Sequence, residues 1–278
     1  MCGIYGFIGK PTNKTRTIIK NLGILNVERG ADSSGIGIFS DSQYYHYKKA
    51  VDSQLFFEVI QPEKYIYTSG FNNFVNIIGH TRHATTGSVN DNNSHPFLFD
   101  NVFFAHNGII SNFDTLQKKY NTHYAVDSQI IGHLLQEKNN DIDAFSELRG
   151  WLTVPYIHLE DIRSLYIATY NAPLHFAISN NGVYYSSQKN HLQKALQKSK
   201  VSASIGQGGT NKLYKFTYNN ETITIQKSKI QVKSSYEWGS YTGYQSNFDY
   251  YSSFFKTKPR KNQQELAKTI YYYRPIVI

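Results

Sequence analysis

The apolar segments of this chain are short, and most are joined to the next by a turn of a few polar residues. That pattern favours antiparallel pairs, because a parallel pair needs a crossover of about a dozen residues or more. Residues 2–9, CGIYGFIG, read as a buried strand whose glycines let neighbouring backbones approach. Residues 35–39 and 44–48 read as a hairpin, 76–80 as a strand running into Thr81, and 101–105 as a strand ending at His106-Asn107-Gly108. Further strands are expected at 164–169, 174–179 and 182–186, with a last hairpin at 212–217 and 222–225. Helical spacing covers 15–27, 54–60, 113–119, 127–136 and 191–197, and puts Ile130, Ile131, Leu134 and Leu135 on one side of the fourth. Strands, helices and strands linked by hairpins predict an α+β chain with helices packed on antiparallel sheets, not a doubly wound parallel fold. From about residue 231 the pattern dissolves. Residues 231–278 are expected to form a tyrosine-rich basic tail, partly disordered or docking a partner, with one late helix at 263–273.

Composition removes several classes. At 278 residues the chain is long enough to bury a sizeable core. No apolar run approaches the roughly 20 residues that span a bilayer, and MCGIYGFIGK lacks the basic start and apolar stretch of a signal peptide. A cytoplasmic protein without a membrane partner is expected. The net charge is +9, but Lys and Arg are scattered, with only a mild cluster at 256–261, so a nucleic-acid partner is not expected. The single cysteine excludes an intrachain disulfide framework and a cysteine-rich zinc site. His46, His123, His158 and His191 have no metal-ligand spacing and read as surface or packing residues, and neither a metal nor a cofactor is expected. Gly206-Gln207-Gly208-Gly209 precedes a strand rather than a helix, which makes it a weak phosphate loop.

Four separated segments have unusual composition: Cys2-Gly3-Ile4; residues 29–35, RGADSSG; residues 79–87, GHTRHATTG; and Ala105-His106-Asn107-Gly108 with Asp127-Ser128 downstream. Each alone has a structural explanation. Cys2 fits a buried thiol near a first strand, residues 29–35 a turn, Asn107-Gly108 a strand-ending turn, and Asp127 a helix N-cap. Together, in this order and with His95-Pro96 and residues 106–112, they resemble the class II glutamine amidotransferase domain, one of the N-terminal nucleophile hydrolases. The likeness is greatest to the glutaminase half of glucosamine-6-phosphate synthases and runs from Cys2 to about Ile230, weakening after Thr169. It implies a four-layer αββα sandwich of two antiparallel sheets over residues 2–230, hydrolysis of L-glutamine to glutamate and ammonia, and no cofactor.

The chemistry accounts for these residue types. A thiol activated by an adjacent base is a strong nucleophile toward an amide. With Met1 excised, Cys2 carries a free α-amine, of pKa about 7.7–8.0 in model peptides, that can take the thiol proton and pass one to the leaving ammonia. The resemblance implies that the Asn107 side chain and the Gly108 N–H stabilise the oxyanion. It also implies that Arg82 binds the substrate α-carboxylate through its planar fork, that Asp127 accepts the α-ammonium, and that Thr85 lines the same pocket. Arg29 and Asp32 match a loop that braces the cysteine strand and are not expected to be catalytic. His83 stands where the family usually has tryptophan, and Thr86 where it has histidine; Gln129 follows Asp127-Ser128 where an acidic or similar polar residue is usual. In the family the ammonia passes to a second, synthetase domain. Residues 231–278 are too few for one, so a separate synthetase or other ammonia-acceptor protein is expected as partner. A stand-alone γ-glutamyl amide hydrolase and a non-catalytic binding module on the same fold are the rival readings.

Overall fold

A computed structural model of the chain describes residues 2–68, 73–138, 140–234 and 276–277. Among these residues the strands form two sheets. The first contains β1 (Gly3–Gly9), β2 (Ser33–Phe39), β3 (Gln43–Lys49), β4 (Val75–Arg82), and, much later in the chain, β10 (His175–Ser179), β11 (Gly182–Ser186), β12 (Ser204–Gln207) and β15 (Ile276–Val277). The second contains β5 (Phe97–Phe99), β6 (Val102–Phe104), β7 (Asn107–Ile110), β8 (Gly150–His158), β9 (Ser164–Tyr170), β13 (Lys212–Asn219) and β14 (Thr222–Lys229). Their orders are β12-β10-β11-β1-β4-β2-β3-β15 and β14-β13-β9-β8-β6-β5, with β7 also paired to β8. Neighbouring strands are antiparallel throughout both sheets.

The period of two along each strand assigns side chains to layers. In β1, Ile4 and Ile8 point into a core between the sheets, where they join Phe103, Ile157, Ile167 and Phe216 of the second sheet. Tyr5 and Phe7 point the other way, against α1 (Asn13–Leu25), α2 (Ser53–Val59) and α6 (Lys189–Lys198), through Ile18, Ile19, Leu22, Phe56, Phe57 and Leu192. The outer face of the second sheet carries Phe104, Leu152, Val154 and Tyr156. They pack against Leu116 of α3 (Phe113–Tyr120), Ile130 and Leu134 of α4 (Gln129–Glu137), and Phe145 of α5 (Asp141–Ser146). The result is the expected four-layer αββα sandwich. β1 is buried on both faces, which explains why its sequence reads as an unbroken apolar run. The first long helix starts at a reciprocal cap, the Thr12 hydroxyl accepting from the Thr15 N–H and the Thr15 hydroxyl from the Thr12 N–H.

Several elements differ from the sequence expectation. β8 was not expected; Pro155 lies in its middle, and a proline in a central strand is unusual. Its missing N–H falls at the break between β6 and β7, where the Pro155 carbonyl still accepts from Ala105 N at 3.0 Å. Asn107-Gly108 does not end a strand as a turn but opens β7. Gly206 and Gln207 are not a loop; they belong to β12 and pair with Phe176 and His175. α4 starts two residues later than expected, and Asp127 does not cap it: its N-cap is Ser128, with no side-chain cap bond. Past Ile230 the chain still packs, with Val232 in the outer core and Lys233 N donating to Leu148 O at 3.0 Å. Ile276 and Val277 pair with Tyr44 and Gln43. The rest of the expected tail, including a helix at 263–273, lies outside the described residues. No helix among the described residues is long and apolar enough to cross a membrane.

Candidate active site

Cys2 lies immediately before β1, and the β1–β4 register pairs Gly3 with Thr81, next to Arg82. The chain leaves β4 there, so the Cys2 thiol meets the first residue of the following loop. Its Sγ donates toward His83 O at 3.5 Å and accepts from His83 N at 3.4 Å. Arg29 Nε donates to the Cys2 carbonyl at 3.2 Å, tying the residue to the turn after α1. Asp32 holds the same loop from below: its N–H donates to Arg82 O at 3.0 Å and its Oδ2 accepts from Ala84 N at 2.9 Å. The His83 ring lies beside that carboxylate, Nδ1 to Oδ2 3.6 Å. Burial raises the pKa of the Cys2 thiol, against the hydrogen bond from His83 and the charges of Arg82 and Arg29. The thiol therefore rests in its neutral form and needs a base to become a nucleophile.

Arg82 closes β4 and is buried. Its Nη1 donates to Ser88 O at 3.1 Å and its Nη2 to Thr86 O, so the guanidinium shapes the 83–88 loop from inside. Burial lowers its pKa, against the charges of Cys2, Asp32 and Asp127. Asp127 is buried, accepting from Ile110 N at 3.0 Å through Oδ2 and from Ser128 N at 2.9 Å through Oδ1. Thr85, expected in the pocket, is exposed on the loop.

Asn107 and Gly108 open β7, facing Thr153 and Leu152 of β8. The Asn107 side chain is wholly buried, and neither its Oδ1 nor its Nδ2 has a hydrogen-bond partner. Gly108 has no room for a side chain: a Cβ there would lie 2.0 Å from Trp151 O and 2.5 Å from His106 Nε2. Two residues before Arg82 on β4, His80 Nε2 donates to the carbonyl of His106, directly before Asn107, at 3.0 Å. Cys2, Arg82, Asp127 and the Asn107-Gly108 pair are thus brought to one end of the space between the sheets.

Sequence reasoning gave no role to three histidines at this end. His80 and His95 stack with ring centroids 4.2 Å apart, and His106 Nδ1 lies 2.8 Å from Ser128 Oγ. Burial lowers the pKa of all three: His80 down to about 3, and His95, beside His80, His106 and Arg82, well below its ordinary value. They are neutral imidazoles. The signal for them was in hand, since all three lie in the quoted motifs, but their partners come from distant segments. No group of three or more potential metal ligands converges among the described residues.

Comparison with known proteins gives the same answer from another side. Residues 42–152 match the family described as glutamine amidotransferases class-II. A glutamine–fructose-6-phosphate aminotransferase (isomerizing) of Helicobacter pylori is 32% identical over 200 residues, covering 67% of this chain and 32% of the relative. The enzyme of that name from Pyrococcus horikoshii is 32% identical over 203 residues, and one from Staphylococcus aureus is 27% identical over 249. The chain thus spans about a third of the length of these relatives. Among solved structures, a glutamine phosphoribosylpyrophosphate amidotransferase from B. subtilis superposes with a TM-score of 0.63 at 17% identity, covering 81% of this chain and 49% of that one. A regulatory enzyme of purine biosynthesis superposes at 0.65, covering 83% of this chain and 50% of that one. At such identities these two speak for the fold alone. Fold, motifs and sequence likeness agree, and the chain carries a class II glutamine amidotransferase domain.

Proposed function

We propose that this chain hydrolyses L-glutamine to L-glutamate and ammonia through Cys2, once Met1 is removed, and that the ammonia goes to an acceptor carried by a separate protein. The observation that carries the hydrolysis is the Asn107 amide, buried beside a backbone that admits no side chain and hydrogen-bonded to nothing. An unsatisfied buried polar group costs about 1–3 kcal/mol. A developing oxyanion is the ligand that suits a buried amide N–H next to an unobstructed backbone N–H.

In this reading the free α-amine of Cys2 takes the thiol proton, and the thiolate attacks the substrate's side-chain carbonyl carbon. The carbonyl electrons move to oxygen, held by Asn107 and Gly108. Collapse breaks the C–N bond as the ammonium returns its proton to the leaving group, releasing ammonia and leaving a γ-glutamyl thioester. Water, deprotonated by the same amine, then attacks the thioester; glutamate leaves and the thiol is restored. Arg82, with N–H groups beyond the two it gives to Thr86 and Ser88, takes the α-carboxylate, and Asp127 takes the α-ammonium. Arg29 and Asp32 hold the Cys2 backbone and the 83–88 loop.

The test is ammonia and glutamate release from L-glutamine by purified protein lacking Met1. Turnover is expected, and Cys2→Ala should reduce it by at least about 10⁴-fold, as loss of a nucleophile does elsewhere. Equal release by both proteins, or none by the wild type, overturns the reading. The relatives' names describe amination of a second substrate by single chains about three times the length of the shared region; they support an acceptor for the ammonia, and its place on a separate protein is the finer part of the proposal. Glutamine-dependent amination that appears only when a second protein is added is its expected signature.

A further inference from the structure

Asp127 and Ser128 together touch both ends of β7. Ile110, the last residue of that strand, donates its N–H to Asp127 Oδ2 at 3.0 Å. At the other end, His106, directly before Asn107, is 2.8 Å from the Ser128 hydroxyl through Nδ1. Ser128 is in turn bound to Asp127, its N–H donating to Oδ1 at 2.9 Å. The carbonyl of His106 is pinned from the opposite sheet by His80 Nε2. Asp127, Ser128, His106 and His80 are all buried, at 6%, 3%, 2% and 0% exposure. Water is thus kept from replacing these bonds, and each one fixes a direction as well as a distance. The strand between these two attachments is the one that carries Asn107 and Gly108.

We propose that Ser128 and His106 are positioning residues that couple the substrate's α-ammonium, held at Asp127, to the placement of the oxyanion donors. This rests on the glutaminase reading and deepens it. Asp127 is the acceptor for the ammonium and also the anchor of the bracket, so filling it pulls on Ser128 and on Ile110 together. A substrate without an α-ammonium leaves the bracket slack, and the loss falls on the chemical step rather than on binding alone. The buried serine hydroxyl joins the His106 ring to the Asp127–Ser128 pair, whereas His80 holds the His106 carbonyl independently of Asp127, which makes the serine the point at which to cut the coupling.

The experiment compares steady-state kinetics on L-glutamine and on glutaramate, the same amide without its α-amino group, in the full chain. In the wild type, kcat on glutaramate is expected to be about tenfold lower than on L-glutamine, less than the 10²–10³ lost with a whole oxyanion donor. In Ser128→Ala, kcat on L-glutamine falls about tenfold toward the glutaramate value, and the ratio between the substrates shrinks to about twofold. Ser128→Thr, which keeps the hydroxyl, restores the ratio. A ratio unchanged in Ser128→Ala overturns the proposal, since a merely structural serine lowers both rates alike. Should Ser128→Ala not fold, Ser128→Cys reads the same ratio with a weakened link. Wild-type protein that turns over neither substrate overturns the glutaminase reading itself, which separates the two failures.

Discussion

The space between the two sheets has two ends, built from the same strands and filled in opposite ways. Along most of its length Phe39, Phe103, Phe176, Tyr185 and Phe216 interlock. Gly37 leaves room for the Phe103 ring, which a Cβ would meet at 2.3 Å. Toward Cys2 the same faces carry His80, Arg82, His95, His106, Asn107 and Asp127, all buried, and several of their polar atoms have no partner. Strand alternation does not distinguish these ends. What distinguishes them is that the aromatic end is filled by interlocking rings, whereas the polar end holds buried donors and acceptors without a partner among the described residues. In the proposed reading, stability is concentrated in one part of the sandwich and binding in the other.

Substitutions at the two ends should separate accordingly. Phe103→Ala, at the aromatic end, is expected to cost about 3–5 kcal/mol of unfolding free energy, with turnover per folded molecule unchanged; chemical denaturation alongside an active-site titration measures both. Asn107→Ala, at the polar end, is expected to lower kcat by about 10²–10³ while leaving stability level or raised, because it removes a buried unsatisfied amide. A large loss of stability there, with activity kept, would erase the contrast.

Acid should reveal the polar end. His80 and His95 are kept neutral in the folded chain, with His80 down to about 3 from its ordinary 6.5, chiefly by burial. Below 6.5 the unfolded chain takes up protons that the folded one refuses, so stability is full above that pH and declines as pH falls from 6.5 toward 4. Thermal melts across this range should show the decline, and His80→Asn should flatten it. The smallest effect is expected at His83, whose ring is half exposed beside Asp32. His83→Trp should shift KM for L-glutamine by only a few-fold, because the backbone of residue 83, not its ring, holds the Cys2 thiol.

The site was legible through a resemblance: the segments at residues 2–4, 29–35, 79–87, 105–108 and 127–128 each have a structural explanation alone, and only their joint order resembles the family. The hairpin order was legible through turn spacing. β8 was not, because the feature that excuses Pro155 is a break in the neighbouring strand, invisible from within residues 150–158. The histidine stack was missed because contact between His80 and His95 depends on two segments meeting across the sheets, which no local period encodes.

The most direct measurement is acid-quench mass spectrometry of the protein lacking Met1, taken during turnover of L-glutamine and followed by peptide mapping. A γ-glutamyl adduct on Cys2, labile to mild base and absent in Cys2→Ala, is the expected result. Steady turnover with no adduct on Cys2, or full activity in protein that retains Met1, contradicts the central claim that the first residue of the mature chain supplies both nucleophile and base.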